Sequence, residues 1–196
     1  VPAMSLLEFT PIPGAITERK RIPARETEVE SREMEGTRCR FRTTADVDLY
    51  PLQLEQVSME SASSGQSALR LRFATLPGAT LGQAGIERLR LHLVGEPAYT
   101  LYYWLCRYVG KIKLRLLTQG RPAEELGLPD CKIQPFGFAK EEALLPYPQT
   151  AFDGYRLLQE YFAFPQKFLA VDLSDLRPLA RRSSATTFEI LILFTK

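Results

Sequence analysis

Residues 144–173 read LLPYPQTAFDGYRLLQEYFAFPQKFLAVDL. Pro146 and Pro148 hold the entry extended, because the residue before a proline is pushed out of the α region. Thr150 with Asp153 three positions on has the form of a capping box, Asp standing where Glu or Gln is usual. The spacing then predicts a helix over about 151–163. Tyr155, Leu158 and Phe162 fall on one stripe, flanked by Leu157 and Tyr161, while Arg156, Gln159 and Glu160 take the other side. Pro165 ends the helix near Phe164, and residues 168–173 alternate as a short strand. A helix this aromatic is expected to cover apolar surface. Tyr155, Leu158, Tyr161, Phe162, Phe164 and Phe168 are therefore read as a structural lid over a sheet. Aromatic edges left in solvent would instead make a docking patch for another subunit.

The sheet beneath is read from the rest of the chain. Met4–Thr10 reads as a strand ended by Pro11, Pro13 and Gly14. Residues 17–35 are densely charged and, with Pro23 inside them, read as a loop entering an exposed strand. They make either a solvated face or a docking arm. Further strands are expected at Arg38–Thr44, Val47–Tyr50, Leu52–Glu60, Leu69–Phe73, Leu89–Leu93, Ile112–Leu116, Cys131–Phe138 and Thr187–Phe194. Residues 61–65, SASSG, form a turn. Pro97 suits the first position of a helix over about 97–109, with Gly110 as its cap. Residues 119–130 read as a loop with a helical turn at 123–126, and Gly137 between two Phe predicts a bulge or close backbone approach.

These elements predict a mainly β or α+β class. The expected shape is an antiparallel β-sandwich-like core of about nine strands, with two main helices (about 97–109 and 151–163) packed against it. One β-rich domain is expected over 1–196, with 119–130 as the divide if there are two subdomains.

Composition narrows the function. The chain has 196 residues, 45% of them hydrophobic, and a net charge of +2. Near-neutrality supplies no bulk attraction for nucleic acid or anionic lipid. No apolar run reaches the ~18 residues of a membrane span, and Val1-Pro2 lacks the form of a signal peptide. Cys39, Cys106 and Cys131 show no metal-ligand spacing, and one His makes a zinc site poorer still. No metal or cofactor is expected. His92 sits in Leu-His-Leu within a regular strand, not in the strained turn that nucleophile sites use. Gly78, Gly82 and Gly85 are followed by no Lys-Ser/Thr pair, so they do not make a phosphate loop. Glu124-Glu125 and Glu141-Glu142 read as solvated pairs. No acid–base set emerges, and no enzyme is expected.

One positional pattern remains. Arg70 and Arg72; Arg88, Arg90 and His92; and Lys111, Lys113 and Arg115 occupy the wet faces of three strands. If the strands share a sheet, that face is a positive stripe. Arg70, Arg72, Arg88, Arg90, Lys111, Lys113 and Arg115 are then candidates for binding an acidic protein partner. Alternatively they merely decorate and snorkel over an exposed sheet.

The 144–173 stretch also carries a resemblance. Its PYP, followed by F-x-G-Y-R-L-L-x-E-Y-F-x-F-P-x-K-F-L, resembles the signature of the TssF (ImpG/VasA) family of type VI secretion baseplate subunits. Cys39-Arg40-Phe41-Arg42-Thr43-Thr44, with Val47, Leu49, Pro51 and Leu52, is a second match; Pro2–Phe9 and Leu69–Leu105 are weaker ones. The resemblance implies a segment internal to a longer chain. It also implies a cytoplasmic wedge in which two TssF copies embrace one TssG, with TssE and TssK bound, beneath the contractile sheath. No nucleic acid and no membrane insertion are implied. The helices that join the wedge are expected outside these residues, which leaves the isolated piece compatible with a monomer. The competing reading, from another class, is a β-sandwich carbohydrate-binding module using Tyr99, Tyr102, Tyr103 and Trp104 as its aromatic platform; a hydrolase ranks third.

Overall fold

The computed structural model describes residues 2–61, 65–117, 123–148, 150, 152–181 and 185–195. In chain order the strands are β1 (Lys20–Ile22), β2 (Glu28–Glu30), β3 (Arg40–Arg42), β4 (Val47–Leu49), β5 (Leu52–Ser61) and β6 (Ser67–Thr75). Then come the short helix α1 (Leu81–Ala84), β7 (Leu89–His92), helix α2 (Ala98–Arg107), β8 (Val109–Leu117), β9 (Glu124–Gly127) and β10 (Lys132–Pro135). Helix α3 (Asp153–Ala163), β11 (Ala170–Ser174) and β12 (Thr187–Phe194) complete the chain.

Five strands form the main antiparallel sheet in the order β5-β6-β12-β8-β9, and three form a second in the order β10-β11-β7. Period-2 alternation builds the main sheet. Leu69, Leu71 and Phe73 of β6, Phe188, Ile190 and Ile192 of β12, and Ile112, Leu114 and Leu116 of β8 all turn one way and are buried. They share a single apolar cluster with Leu89 of β7 and Val171 and Leu173 of β11. The class is thus mainly β, as the patterning predicts. Phe73 stacks on Phe188 with ring centroids 5.2 Å apart, tying neighbouring strands on the core side.

Several local expectations are corrected. Met4–Thr10 joins no strand, because no described neighbour offers it a ladder. Residues 124–127 are strand β9, not a helical turn: their backbone finds β8, where Glu125 meets Arg115 in register. Helix α2 is capped by Tyr108, whose N–H bonds the Trp104 carbonyl, and Gly110 already belongs to β8. There Gly110 serves a close approach, since a Cβ would sit 2.8 Å from Thr195 Cγ2. Helix α3 begins after Phe152 without a side-chain cap, so Thr150 does not cap it. Most of the SASSG stretch expected as a turn (62–64) and residues 118–122 and 182–184 lie outside the described residues.

Strands of the charged 17–35 region pair with the two strands next in the chain. β1 lies against β4, and β2 against β3. Glu28 meets Arg42 at 2.6 Å and Glu30 meets Arg40 at 3.2 Å across the β2–β3 ladder. Such exposed pairs are each worth only about 0.2–1 kcal/mol, but they fix the register of a hairpin with little core of its own.

Candidate functional site

Helix α3 packs the opposite way from its expected orientation. Arg156 and Glu160 are its buried residues, 2% and 0% exposed, whereas Tyr155, Leu158 and Phe162 are 67%, 57% and 81% exposed. Tyr161 is also exposed. Of the residues read as a lid, Phe168 alone is fully buried, and Phe164 is half-buried. The physical reason lies in the segments the helix rests on. Residues 136–145 present backbone groups that need polar partners, and buried backbone groups left unpaired are costly. Glu160 accepts from Leu144 N–H at 2.9 Å and from Arg156 Nη1 at 3.2 Å. Arg156 Nη2 donates to the Phe138 carbonyl at 3.0 Å. Lys167, itself buried, closes the set by donating Nζ to Glu160. Aromatic rings could satisfy none of these groups.

Close approach tightens the base. Gly137 has φ +104°, and a Cβ there would lie 3.3 Å from both Lys167 Cε and Phe168 Cδ1. The close approach expected of this glycine is therefore made, against the chain that carries Lys167. The Gly137 and Ala139 N–H groups donate to Glu142 Oε2 at 2.7 and 3.1 Å. Desolvation pushes the Lys167 pKa down, while Glu160 pulls the other way.

Above this polar base lie two groups of aromatic side chains. Phe152, 73% exposed, meets Tyr155 edge-on at 5.8 Å. Tyr161 contacts Phe162 at 5.8 Å and buried Phe168 at 6.0 Å, and Phe168 contacts Phe138 at 5.1 Å. Gly154 makes room for the Phe152 ring, which a Cβ would meet at 2.3 Å. The result is an apolar ridge presented to solvent, flanked at the start of the helix by the Asp153–Lys140 ion pair at 3.2 Å. A face of this kind marks a protein contact more readily than a small-molecule site, which is concave.

The basic residues do not form one stripe. β6 and β8 lie in the main sheet with β12 between them, whereas β7 belongs to the second sheet. Acids from neighbouring strands also neutralise most of them. Arg70 pairs with Glu60 at 2.9 Å and Glu189 at 3.7 Å, and Arg72 lies 3.2 Å from Glu55. Arg115 joins Glu125 at 2.7 Å and Glu189 at 3.2 Å, and Lys113 reaches Glu125 at 3.4 Å. Arg115 holds the Glu125 carboxyl below its usual range. Arg90 grips Asp172 with two bonds of 2.7 and 2.9 Å and lies 3.4 Å over the Phe136 ring; Arg88 approaches Asp48 and Asp172. Lys111 has no acidic partner among the described residues. An acidic protein would have to displace these internal carboxylates.

His92 stands at the solvent end of β7, edge-on to Phe136. Desolvation and the Arg90 charge lower its pKa, opposed by Asp172. Among the described residues no nucleophile shares hydrogen bonds with it, and no group of three or more His, Cys, Asp or Glu could hold a metal ion. Tyr99 and Tyr103 are exposed, but Trp104 packs edge-on against Phe194 at 5.3 Å, so the four α2 aromatics do not make one platform.

The chain is similar to known proteins over most of its length. The family model described as "Type VI secretion system, TssF" matches residues 1–196. "Type VI secretion system component TssF1" of Pseudomonas aeruginosa is 33% identical over 174 residues, covering 82% of this chain and 28% of that protein. A chain in the cryo-electron microscopy structure of the type VI secretion system TssK-TssF-TssG baseplate subcomplex is similar at 32% identity and a TM-score of 0.81. That match covers 94% of this chain and 35% of the other. The chain thus spans about a third of the length of the relatives it matches.

Proposed function

Since the chain belongs to the TssF family of type VI secretion proteins, we propose that it is a structural part of a baseplate wedge and works by being held between neighbours. It transforms no substrate. The observation that carries this reading is the inverted packing of α3: a buried ionic base and an exposed aromatic ridge. Burying three charged groups costs several kcal/mol before their mutual contacts offset it. That cost is hard to account for if the helix only covers a core, and natural if the base must hold an apolar ridge rigid for a neighbour.

TssG and TssK are the proposed neighbours, because they accompany the TssF chain in the similar complex. TssE and a second TssF copy follow from the family resemblance alone. A cytoplasmic position beneath the sheath is part of the same proposal; among the described residues no helix is long and apolar enough to cross a membrane.

The test is co-expression of the full-length TssF protein with TssG and TssK. Tyr155→Ser with Phe162→Ser should reduce co-purification by at least about 30-fold, the effect of losing one strong hot spot. A wild-type yield of complex from the double variant would overturn the assignment of the α3 ridge.

A further inference from the structure

The two edges of the main sheet are unlike. β9 is a four-residue edge carrying Glu124 and Glu125, short and charged as protected edges are. β5 is ten residues long. Among the described residues no strand pairs with its outer side; at its start the Leu52 N–H donates to the Tyr50 carbonyl at 2.8 Å. Every second residue of an edge strand turns its N–H and C=O away from the sheet; a register shift between Leu54 and Gln56 interrupts that alternation, and from Gln56 to Ser61 β5 offers a regular row of open hydrogen-bonding groups.

Its side chains say what would fit there. Leu54, Val57 and Met59 pair in register with buried Phe73, Leu71 and Leu69, so they point to the core side. Yet they are 46%, 54% and 52% exposed. The apolar cover ends at β6 and leaves a shelf along β5. On the opposite face, charge alternates strand by strand. Glu125 of β9 meets Arg115 of β8, which meets Glu189 of β12; Glu189 meets Arg70 of β6, and Arg70 and Arg72 meet Glu60 and Glu55 of β5. The order is acid, base, acid, base, acid. The next strand in the series is basic.

We propose that β5 is a strand-addition site for an extended segment of another protein, one that alternates Lys or Arg with apolar residues. Its backbone completes the ladder, its apolar residues cover Leu54, Val57 and Met59, and its cations face Glu55 and Glu60. A second copy of β5 does not satisfy these terms, since antiparallel self-pairing sets two glutamate rows side by side. The proposal is independent of the α3 ridge.

The probe is a fluorescein-labelled nine-residue peptide alternating Lys and Val, titrated against the 196-residue chain by fluorescence anisotropy. Saturable binding is expected. A probe with Pro at its centre should bind at least about tenfold more weakly, because proline cannot complete the ladder. Glu55→Lys with Glu60→Lys should lose the Lys probe and gain a Glu/Val probe, a reversal that misfolding cannot produce. Absence of binding, indifference to the proline, or a charge swap without reversal would each overturn the proposal. So would a concentration-dependent dimer on sizing that Met59→Lys dissolves, because the occupant would then be a second copy.

Discussion

Glu160 decides how the chain's most aromatic element sits. It is fully buried and bonded by Arg156, Lys167 and the Leu144 N–H. Replacing it with Ala leaves two buried cations without their anion, so Glu160→Ala should cost about 3–5 kcal/mol. Urea denaturation followed by circular dichroism measures this. A loss below about 1 kcal/mol, the surface-pair range, would show that the three groups rehydrate easily. Cys131 gives the pH dependence. Burial raises its thiol pKa to about 11, so the folded chain binds the proton more tightly than the unfolded one. Its contribution is complete below the unfolded value of about 8.5 and declines as pH rises through about 11. Cys131→Ala should therefore flatten the alkaline fall in stability relative to the unmodified chain, read from urea midpoints at a neutral pH and one above the raised pKa.

At the scale of the element, α3 separates stability from association. Phe168 lies under the helix and is 6% exposed, whereas Phe162 on top is 81% exposed. Phe168→Ala should cost about 3–5 kcal/mol, and Phe162→Ser should stay within about 0.5 kcal/mol; thermal melts of the two variants give the comparison. A large loss from Phe162→Ser would mean that the ridge packs inward after all. The helix itself is legible in the sequence: the period of Tyr155, Leu158 and Phe162 and the stop at Pro165 place it to within two residues of Asp153–Ala163. Its orientation is not. Periodicity tells that a helix has two unlike faces, and burying the apolar one is the default. Here the default loses because Leu144, Phe138 and Lys167, distant in sequence or beyond the helix, supply the polar partners of the other face.

At the scale of the whole molecule the same limit recurs. Alternation in β6 and β8 reveals which residues enter the core, since that signal is local; β12 reads only as an apolar strand and is buried on both faces. The charges on the other face read as a positive stripe in the sequence because the neutralising acids come from other strands: Glu60 reaches Arg70, Glu125 reaches Arg115, and Glu189 lies between Arg70 and Arg115. Strand order, which no local pattern encodes, turns a row of cations into a balanced ladder. Position in that ladder predicts energetic rank. Glu189 is 3% exposed on the central strand and contacts both arginines; Glu125 sits at the edge with its side chain 41% exposed. Glu189→Ala strands two partly shielded guanidiniums over a buried gap and should cost about 2–3 kcal/mol. Glu125→Ala releases its cations to water and should cost less than about 1 kcal/mol. Chemical denaturation in low and high salt separates them further, because screening reaches the exposed pair and not the buried one. Equal losses for the two variants would mean that the charged face is solvated throughout, and that alternation across the strands contributes nothing to holding the sheet.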